Sequence, residues 1–306
     1  MDVSIIYVNY KTAPLIIDSI RSVKEKTAGI SYEIIVVDND SGDGSLARIR
    51  SVFPEIICVQ SAENIGFGRA NNLGVQQAKG DYLFFLNPDT LVKNNAIELL
   101  YQFLRDNPSA GACGANLYDS EGKPTTSFSR KYPSFFWEVM AIAYIPPVCL
   151  SNRDSVFFNQ AGRPLEVAAI TGADLIVRRS VWEKVGGFDA DFFMNYEETE
   201  LCKRIRQYGY KIYSVPDAEI IHFEGRASYI KQSRLYFLYE GQYIYFNKVY
   251  GRSGCSLIYA ITQLKSYIRI LQFTLLQDKK RLAYWRMKLE TNKRVWKAYK
   301  QKERTR

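Results

Sequence analysis

Glu33-Ile34-Ile35-Val36-Val37-Asp38-Asn39-Asp40-Ser41-Gly42-Asp43-Gly44-Ser45 runs from a β-branched stretch into a carboxylate-rich turn and then into a helical pattern over Ser45 to Ser51. The stretch from Glu33 to Val37 lacks the polar alternation of a surface strand, so it predicts a strand buried on both faces of a parallel sheet. Ser4 to Val8 is a second run of the same kind. Between the two, Pro14 precedes Leu15, Ile16, Ile17, Ile20 and Val23, the spacing of a helix with proline in its first turn. The opening is therefore read as β-α-β.

Working outward, Ile56 to Val59 predicts a third strand, Ala70 to Ala78 a helix, Tyr82 to Leu86 a fourth strand and Leu91 to Leu104 another helix. Strands alternating with helices at this spacing imply an α/β fold with an open, mostly parallel sheet flanked by helices. Ligands of such sheets sit beyond the C-terminal ends of the strands, so the polar residues there are the ones to question. From about Asn116 to Leu165 the alternation gives way to Gly, Pro, Ser and aromatic residues, including Phe135-Phe136-Trp137 and Pro146-Pro147, read as loops and short elements over the cleft. Leu175 to Val177 then predicts a strand, Ser180 to Val185 a short helix, Glu197 to Tyr208 a helix stopped by Gly209, and Lys211 to Val215 a last short strand. The sheet domain is expected to occupy residues 1–230, with a helical extension over 231–306.

Two more helical segments follow. Arg234 to Tyr250 is crowded with Tyr and Phe. Leu257, Ile261, Leu264, Ile268, Leu271 and Leu275 form one apolar stripe, interrupted elsewhere on the helix by Gln263, Lys265 and Arg269, which disfavours a transmembrane span and favours an interfacial or packed helix. The last stretch sets Leu282, Trp285, Leu289, Trp296 and Tyr299 on one face of a basic helix. That pattern suits an anionic membrane surface, with a solvated tail as the plainer reading.

Charge is placed unevenly. The net charge is +9, and residues 278–306 alone carry 12 basic and 3 acidic side chains, leaving the rest of the chain neutral. A neutral core argues against nucleic-acid binding. The 5 cysteines are scattered without a CxxC pair, which fits free thiols in a reducing cytosol better than a disulfide framework or a zinc site. The N-terminus shows no signal-peptide pattern. A cytoplasmic protein, peripheral on the inner face of a bacterial plasma membrane, is expected.

Five segments carry groups able to do chemistry. The Asp38–Asp43 turn lacks the GxGxxG spacing of a dinucleotide loop. Its carboxylates would repel bare phosphate but accept hydrogen bonds from a base or sugar hydroxyls, unless they serve only as turn and helix caps. Asn64-Ile65-Gly66-Phe67-Gly68-Arg69 offers glycines for close backbone approach and Arg69 for a phosphate or base. Asp89, in Asn87-Pro88-Asp89-Thr90, can give a hard oxygen to magnesium or manganese, or cap the next helix. Glu197-Glu198-Thr199-Glu200 opens a helix whose dipole favours acids. The two adjacent glutamates point different ways, so one can structure a site while the other acts as general base. His222, the only histidine, is either an ordinary packed residue or part of a metal shell.

Taken together, these motifs resemble glycosyltransferase family 2, with its GT-A fold, in a branch similar to bacterial rhamnosyltransferases. The resemblance runs through Ser4-Ile5-Ile6-Tyr7-Val8-Asn9-Tyr10, Val37-Asp38-Asn39, Asn64-Ile65-Gly66-Phe67, Leu86-Asn87-Pro88-Asp89, Thr171-Gly172-Ala173, Val185-Gly186-Gly187-Phe188-Asp189, the Glu197 helix start and His222. It implies an inverting enzyme that moves a sugar, rhamnose among the candidates, from a dTDP- or UDP-linked donor to a glycan or lipid-linked oligosaccharide. Asn9, Asp38, Asp40, Asn64, Gly66, Arg69 and Asn87 would bind the donor. Asp89 would stand in a metal motif whose first acid is Asn87 here, with His222 completing the shell of Mg2+ or Mn2+. Glu198 matches the family's base, usually aspartate, with Glu197 as substitute, and Gly172, Asp174, Trp137 and Glu200 would lie on the acceptor side. A catalytically inactive sugar-nucleotide or carbohydrate-binding partner protein is the alternative.

Overall fold

A computed structural model describes residues 1–142, 157–223 and 231–305. Cys149, Pro146-Pro147 and the loop from Glu224 to Ser228 lie outside the described residues. The described residues form two compact units, the first comprising 1–132, 157–193 and 197–223 and the second 133–142, 194–196 and 231–305. Residues 133–142 and 194–196, inside the range expected of the sheet domain, thus group with the C-terminal helices.

The first unit opens β1 (Val3–Asn9), α1 (Ala13–Lys26), β2 (Tyr32–Asp38), α2 (Ser45–Val52), β3 (Ile57–Gln60), α3 (Phe67–Val75) and β4 (Tyr82–Leu86), the alternation expected from the sequence. It continues with β5 (Thr90–Val92), α4 (Ala96–Asp106), β6 (Ala110–Tyr118) and β7 (Phe128–Ser129). After α5 (Phe135–Ile142), which belongs to the second unit, come β8 (Leu165–Glu166), β9 (Ala169–Ile170), β10 (Asp174–Arg178), α6 (Arg179–Val185), α7 (Glu197–Gln207) and β11 (Lys211–His222).

The main sheet has the order β3-β2-β1-β4-β10-β6-β11-β5, with β8 also paired to β11. Pairs β3–β2, β2–β1, β1–β4 and β6–β11 are parallel, while β10, β5 and β8 run against their neighbours. The sheet is mixed and mostly parallel.

Alternate residues of β1 enter different cores, as burial on both faces requires. Val3, Ile5 and Tyr7 pack with Ile16, Ile20 and Val23 of α1 and Ile97, Leu100 and Leu104 of α4. Ile6 and Val8 pack on the other side with Ala70 of α3, Trp182 of α6 and Leu201 and Ile205 of α7. Helices therefore cover both faces, and the C-terminal ends of β1, β2 and β4 open at one edge of the sandwich.

Three expectations are corrected. Leu91-Val92 does not start the helix expected over Leu91 to Leu104 but forms, with Thr90, a short strand paired antiparallel with Ile220–His222; tertiary pairing takes these residues, and α4 begins only after Asn94-Asn95. The nine-residue β6 was not foreseen, because Ala-Gly-Ala-Cys-Gly-Ala has low strand propensity. Its small residues answer crowding: a Cβ on Gly114 would lie 2.3 Å from Ile170 Cγ2, and one on Gly111 2.8 Å from Ile205 Cγ2. The last strand runs twelve residues, not five, passing Pro216 at a register shift between Ser214 and Glu219, where a bulge tolerates proline.

The second unit holds α5, α8 (Lys231–Leu275) and α9 (Lys279–Thr305). Gly251, at φ 72° and ψ −176°, breaks α8 into two helical segments. The aromatic face of α9 is not turned outward as expected of a membrane-facing tail. Leu289 and Tyr299 are buried, and Trp296 stacks on Tyr259 of α8 with ring centroids 4.5 Å apart. Among the described residues, Cys113, Cys202 and Cys255 are buried and Cys58 partly so, all as free thiols.

Candidate active site

Each segment singled out in the sequence follows a strand end or opens a helix at the same sheet edge. At the end of β1, Asn9 is fully buried and its amide is engaged within the chain. It donates to Asp38 Oδ1 (2.9 Å) and Ser41 Oγ (3.0 Å) and accepts from Thr12 N (3.1 Å) and Thr12 Oγ1 (2.9 Å). Ser41 also donates to Asp38. Asn9 thus braces the turn after β2 from below and offers no unengaged amide to a ligand. Asp43 caps α2 through Ser45, as the plainer reading of this turn has it, whereas Asp40 is exposed at φ +63° on its crest.

The next segment is tied to that turn by amide pairing. Asn39 Nδ2 donates to Asn64 Oδ1 (2.9 Å), and Ile65 N–H donates to Asn39 Oδ1 (2.9 Å). Gly66, at φ +85°, brings the backbone so close to Phe193 that an added Cβ would lie 2.3 Å from the Phe193 carbonyl oxygen. Phe67 N–H donates to that same carbonyl (2.8 Å). Arg69, exposed, reaches the Ala190 carbonyl through Nε (2.6 Å), and Asn72 makes paired bonds to the Phe188 backbone (2.8 and 3.0 Å). The Asn64–Asn72 segment thereby holds the 188–193 loop that leads to α7.

At the start of α7, Glu197 is buried beside Gly68, whose added Cβ would stand 3.6 Å from Glu197 Cβ, and its Oε2 has no hydrogen-bond partner among the described residues. Burial, and then the neighbouring Glu198 charge, push its carboxyl well above the usual carboxylate range. Glu198 is only partly buried and accepts from Thr199 Oγ1 (3.0 Å); loss of solvent raises its carboxyl as well. Both carboxyls are thus raised, that of the deeper Glu197 more strongly than that of the more open Glu198.

Glu198 adjoins the Thr171-Gly172-Ala173 segment before β10, since a Cβ on Gly172 would lie 3.8 Å from Glu198 Cγ. Ala173 O in turn accepts the Asn87 N–H (2.9 Å), and Asn87 O accepts Thr90 Oγ1 (2.7 Å). The Asn87-Pro88-Asp89 loop and the paired glutamates are thus connected through one short segment. Asp89 is buried, and its Oδ1 lies 3.4 Å from His222 Nε2, because β5 and β11 pair Thr90 with His222.

Asp89 and His222 fit a divalent cation. Ligands at neighbouring octahedral positions, each about 2.1 Å from the ion, stand about 3 Å apart. No group of three or more His, Cys, Asp or Glu side chains able to hold a metal occurs among the described residues, so bound oxygen ligands from a substrate would have to complete the shell.

Two acceptor-side expectations change. Glu200 is buried with both carboxylate oxygens held by Arg204 (2.6 and 2.7 Å), whose guanidinium also donates to the Val185 (2.5 Å) and Gly187 (2.7 Å) carbonyls. Buried and with both oxygens bonded to Arg204, it serves as a structural clamp. Asp174 is fully buried within the sheet, where it accepts from Ala115 N–H (2.5 Å) and Thr171 Oγ1 (3.4 Å). Burial raises its carboxyl well above the usual range, so it stands as a neutral group under the Thr171–Ala173 segment. Gly172 stays at the rim beside Glu198. Trp137 lies on α5, in the second unit. Sequence reasoning passed over Thr199, which hydrogen-bonds Glu198, and Asn39, which joins the first two loops; the Asn39–Asn64 amide match was the available signal.

These groups stand on a GT-A-type sheet, the scaffold of sugar-transferring enzymes. A mannosyltransferase from Pyrobaculum calidifontis, solved with GDP-Man and Mn2+, superposes with a TM-score of 0.57 at 16% identity, covering 96% of this chain and 84% of that one. Residues 4–186 match glycosyl transferase family 2, and the chain belongs to that family. Among curated relatives, an N-acetylglucosaminyl-diphospho-decaprenol L-rhamnosyltransferase of Mycobacterium tuberculosis is 28% identical over 211 residues, 64% of this chain and 67% of that protein. A dTDP-rhamnosyl transferase of Shigella flexneri is 27% identical over 201 residues, 64% of this chain and 61% of that protein.

Proposed function

We propose that this glycosyltransferase is an inverting enzyme that moves a sugar, with rhamnose the favoured candidate, from a nucleotide-diphosphate sugar to a hydroxyl of a glycan or lipid-linked acceptor in cell-surface polysaccharide synthesis. The observation that carries the reading is the contact path from the Asp38 turn through Asn39 and Asn64 to Gly66 and Gly68, whose backbone meets Phe193 and Glu197, and from Glu198 through Gly172 and Ala173 to Asn87. The rhamnosyltransferase names of the two relatives support the sugar. The lipid-linked acceptor rests on the mycobacterial one.

In this reading Asp40 and Asn64 face the nucleoside and sugar, and the Asn9-braced Asp38 turn fixes their position. Asp89 and His222 would hold a divalent ion that neutralises the leaving diphosphate when bound. The imidazole nitrogen favours a first-row transition ion, of which Mn2+ is also suited to carboxylate and phosphate oxygens. Glu198, ionised while Glu197 stays neutral, accepts the proton of the acceptor hydroxyl as that oxygen attacks the anomeric carbon. A positioned base of this type contributes about 10²- to 10⁴-fold. Its raised pKa brings its basicity closer to neutral pH.

Nucleotide-diphosphate release is the direct assay. Release that requires both an acceptor and Mn2+ and stops on chelation is the expected outcome. Acceptor-independent silence together with tight donor binding would favour the inactive binding protein, and chelator-resistant turnover would refute the Asp89–His222 metal site.

A further inference from the structure

The outer face of the second segment of α8 breaks the usual rule for a solvent-facing helix. Between Ser253 and Leu276 the only charged residues are Lys265 and Arg269, and neither serves that face. Lys265 pairs with Glu138 of α5 (3.1 Å), and Arg269 is buried, donating to the Ala141 and Ile142 carbonyls (3.0 and 2.9 Å). What remains exposed is Leu257, Leu264, Tyr267, Ile268, Leu271 and Leu275, with Leu271 61% and Leu275 75% exposed. These positions recur at helical spacing over about five turns, about 27 Å. An apolar stripe of this length and exposure needs a cover.

Cations mark both ends of the stripe. Arg252 precedes it and, with Lys300 and Arg304 of α9, lines a cavity of about 140 Å³ in which Glu303 is the one acid. At the other end Lys279, Lys280 and Arg281 are exposed, with Asp278 paired to Arg281 (3.4 Å). No helix among the described residues is long and apolar enough to cross a membrane, so the stripe is suited to lying on a surface.

We propose that the uncharged outer face of α8 between Ser253 and Leu276, with the cationic groups at its ends, is a docking surface for an anionic lipid bilayer. The helix lies in the membrane plane, its leucines enter the acyl boundary, Tyr267 sits at headgroup level, and the terminal Lys and Arg side chains meet lipid phosphates. A second copy of the chain is the poorer occupant. Paired in either direction along a two-fold axis, two such helices would set Arg252 or the Lys279–Arg281 cluster against like charge. The surface belongs to α8, one of the two segments the sequence offered for a membrane face, and not to the aromatic face of α9, which is already used in covering the inner side of α8.

The test uses the full chain in cosedimentation with phosphatidylglycerol-phosphatidylcholine vesicles and with pure phosphatidylcholine vesicles. Leu271→Asp/Leu275→Asp and Lys279→Glu/Lys280→Glu are compared with the unaltered protein, with circular dichroism and Tm to verify folding. Binding to the anionic vesicles only, reduced about tenfold or more by the leucine pair and weakened by salt and by the lysine pair, is expected. Absence of binding to anionic vesicles, or binding untouched by Leu271→Asp/Leu275→Asp, overturns the proposal. A dimer seen by light scattering that the leucine pair dissolves overturns it too, since the face would then join two copies.

Discussion

Gly66→Ala is a small chemical change with a large expected effect. At φ +85° a side chain is strained in a left-handed backbone, at a cost of roughly 1–2 kcal/mol. The added Cβ would also fall 2.3 Å from the Phe193 carbonyl oxygen and 2.9 Å from its carbonyl carbon, so backbone must move against backbone. The hydrogen bond from Phe67 N–H to that carbonyl, 2.8 Å long, is lost or bent, adding about 1 kcal/mol. The sum, about 2–3 kcal/mol, corresponds to a fall in Tm of roughly 4–10 °C. Because Phe193 precedes α7, the same shift moves Glu198 relative to the donor loops, so kcat should fall more than donor affinity. Differential scanning calorimetry with steady-state transfer kinetics reads both. An alanine variant with unaltered Tm and kcat would refute the inferred contact and the coupling through it.

Two further outcomes follow from the buried carboxylates. Asp174 keeps its proton in the folded state, whereas in the unfolded chain it ionises near the usual carboxylate value, so its contribution to stability is full below about pH 4 and declines as pH rises. Asp174→Asn should therefore gain on the unaltered protein by about 1.4 kcal/mol per pH unit above that value until the native carboxyl ionises, read by urea unfolding at several pH values; a pH-independent difference would contradict a neutral Asp174. Arg204→Lys removes the fork that holds Glu200 and two carbonyls, and is expected to cost about 2–4 kcal/mol with little change in donor affinity, measured by denaturant unfolding and titration of the nucleotide.

The sequence was most legible where apolar runs were long and one environment dominated. β1, β2 and β4 are decided by continuous apolar runs, β-branched in the first two and aromatic in the third, and their bounds hold within a residue, while the Pro-initiated α1 runs three residues past the last apolar position read in the sequence. β6 was hidden because its residues are chosen for narrow space beneath Ile205 of α7 and Ile170 of β9, not for strand propensity. β5 was hidden because its three residues owe their form to β11, some 130 positions along the chain.

The site shows the same division. The residue types at Asp38, Asp89 and Glu197-Glu198 announced acid chemistry, but the sequence could not say which acids are already engaged. Asn9 and Glu200 prove to be braces, one spending its amide on Asp38 and Ser41 and the other its carboxylate on Arg204. In the tail, helical periodicity found the aromatic face of α9 without revealing that α8 covers it, while the exposed stripe of α8 was equally consistent with packing until its accessibility was known.

The central claim is that one open carboxylate beside one closed, neutral carboxylate removes the acceptor proton. Sugar transfer by Glu198→Gln and Glu197→Gln, measured in parallel with donor binding by calorimetry, tests it most directly. Glu198→Gln is expected to lose about 10²- to 10⁴-fold in kcat with donor affinity kept, and Glu197→Gln, which mimics a protonated glutamate, to stay within about tenfold. Full turnover by Glu198→Gln, or the reverse order of the two variants, would contradict the account.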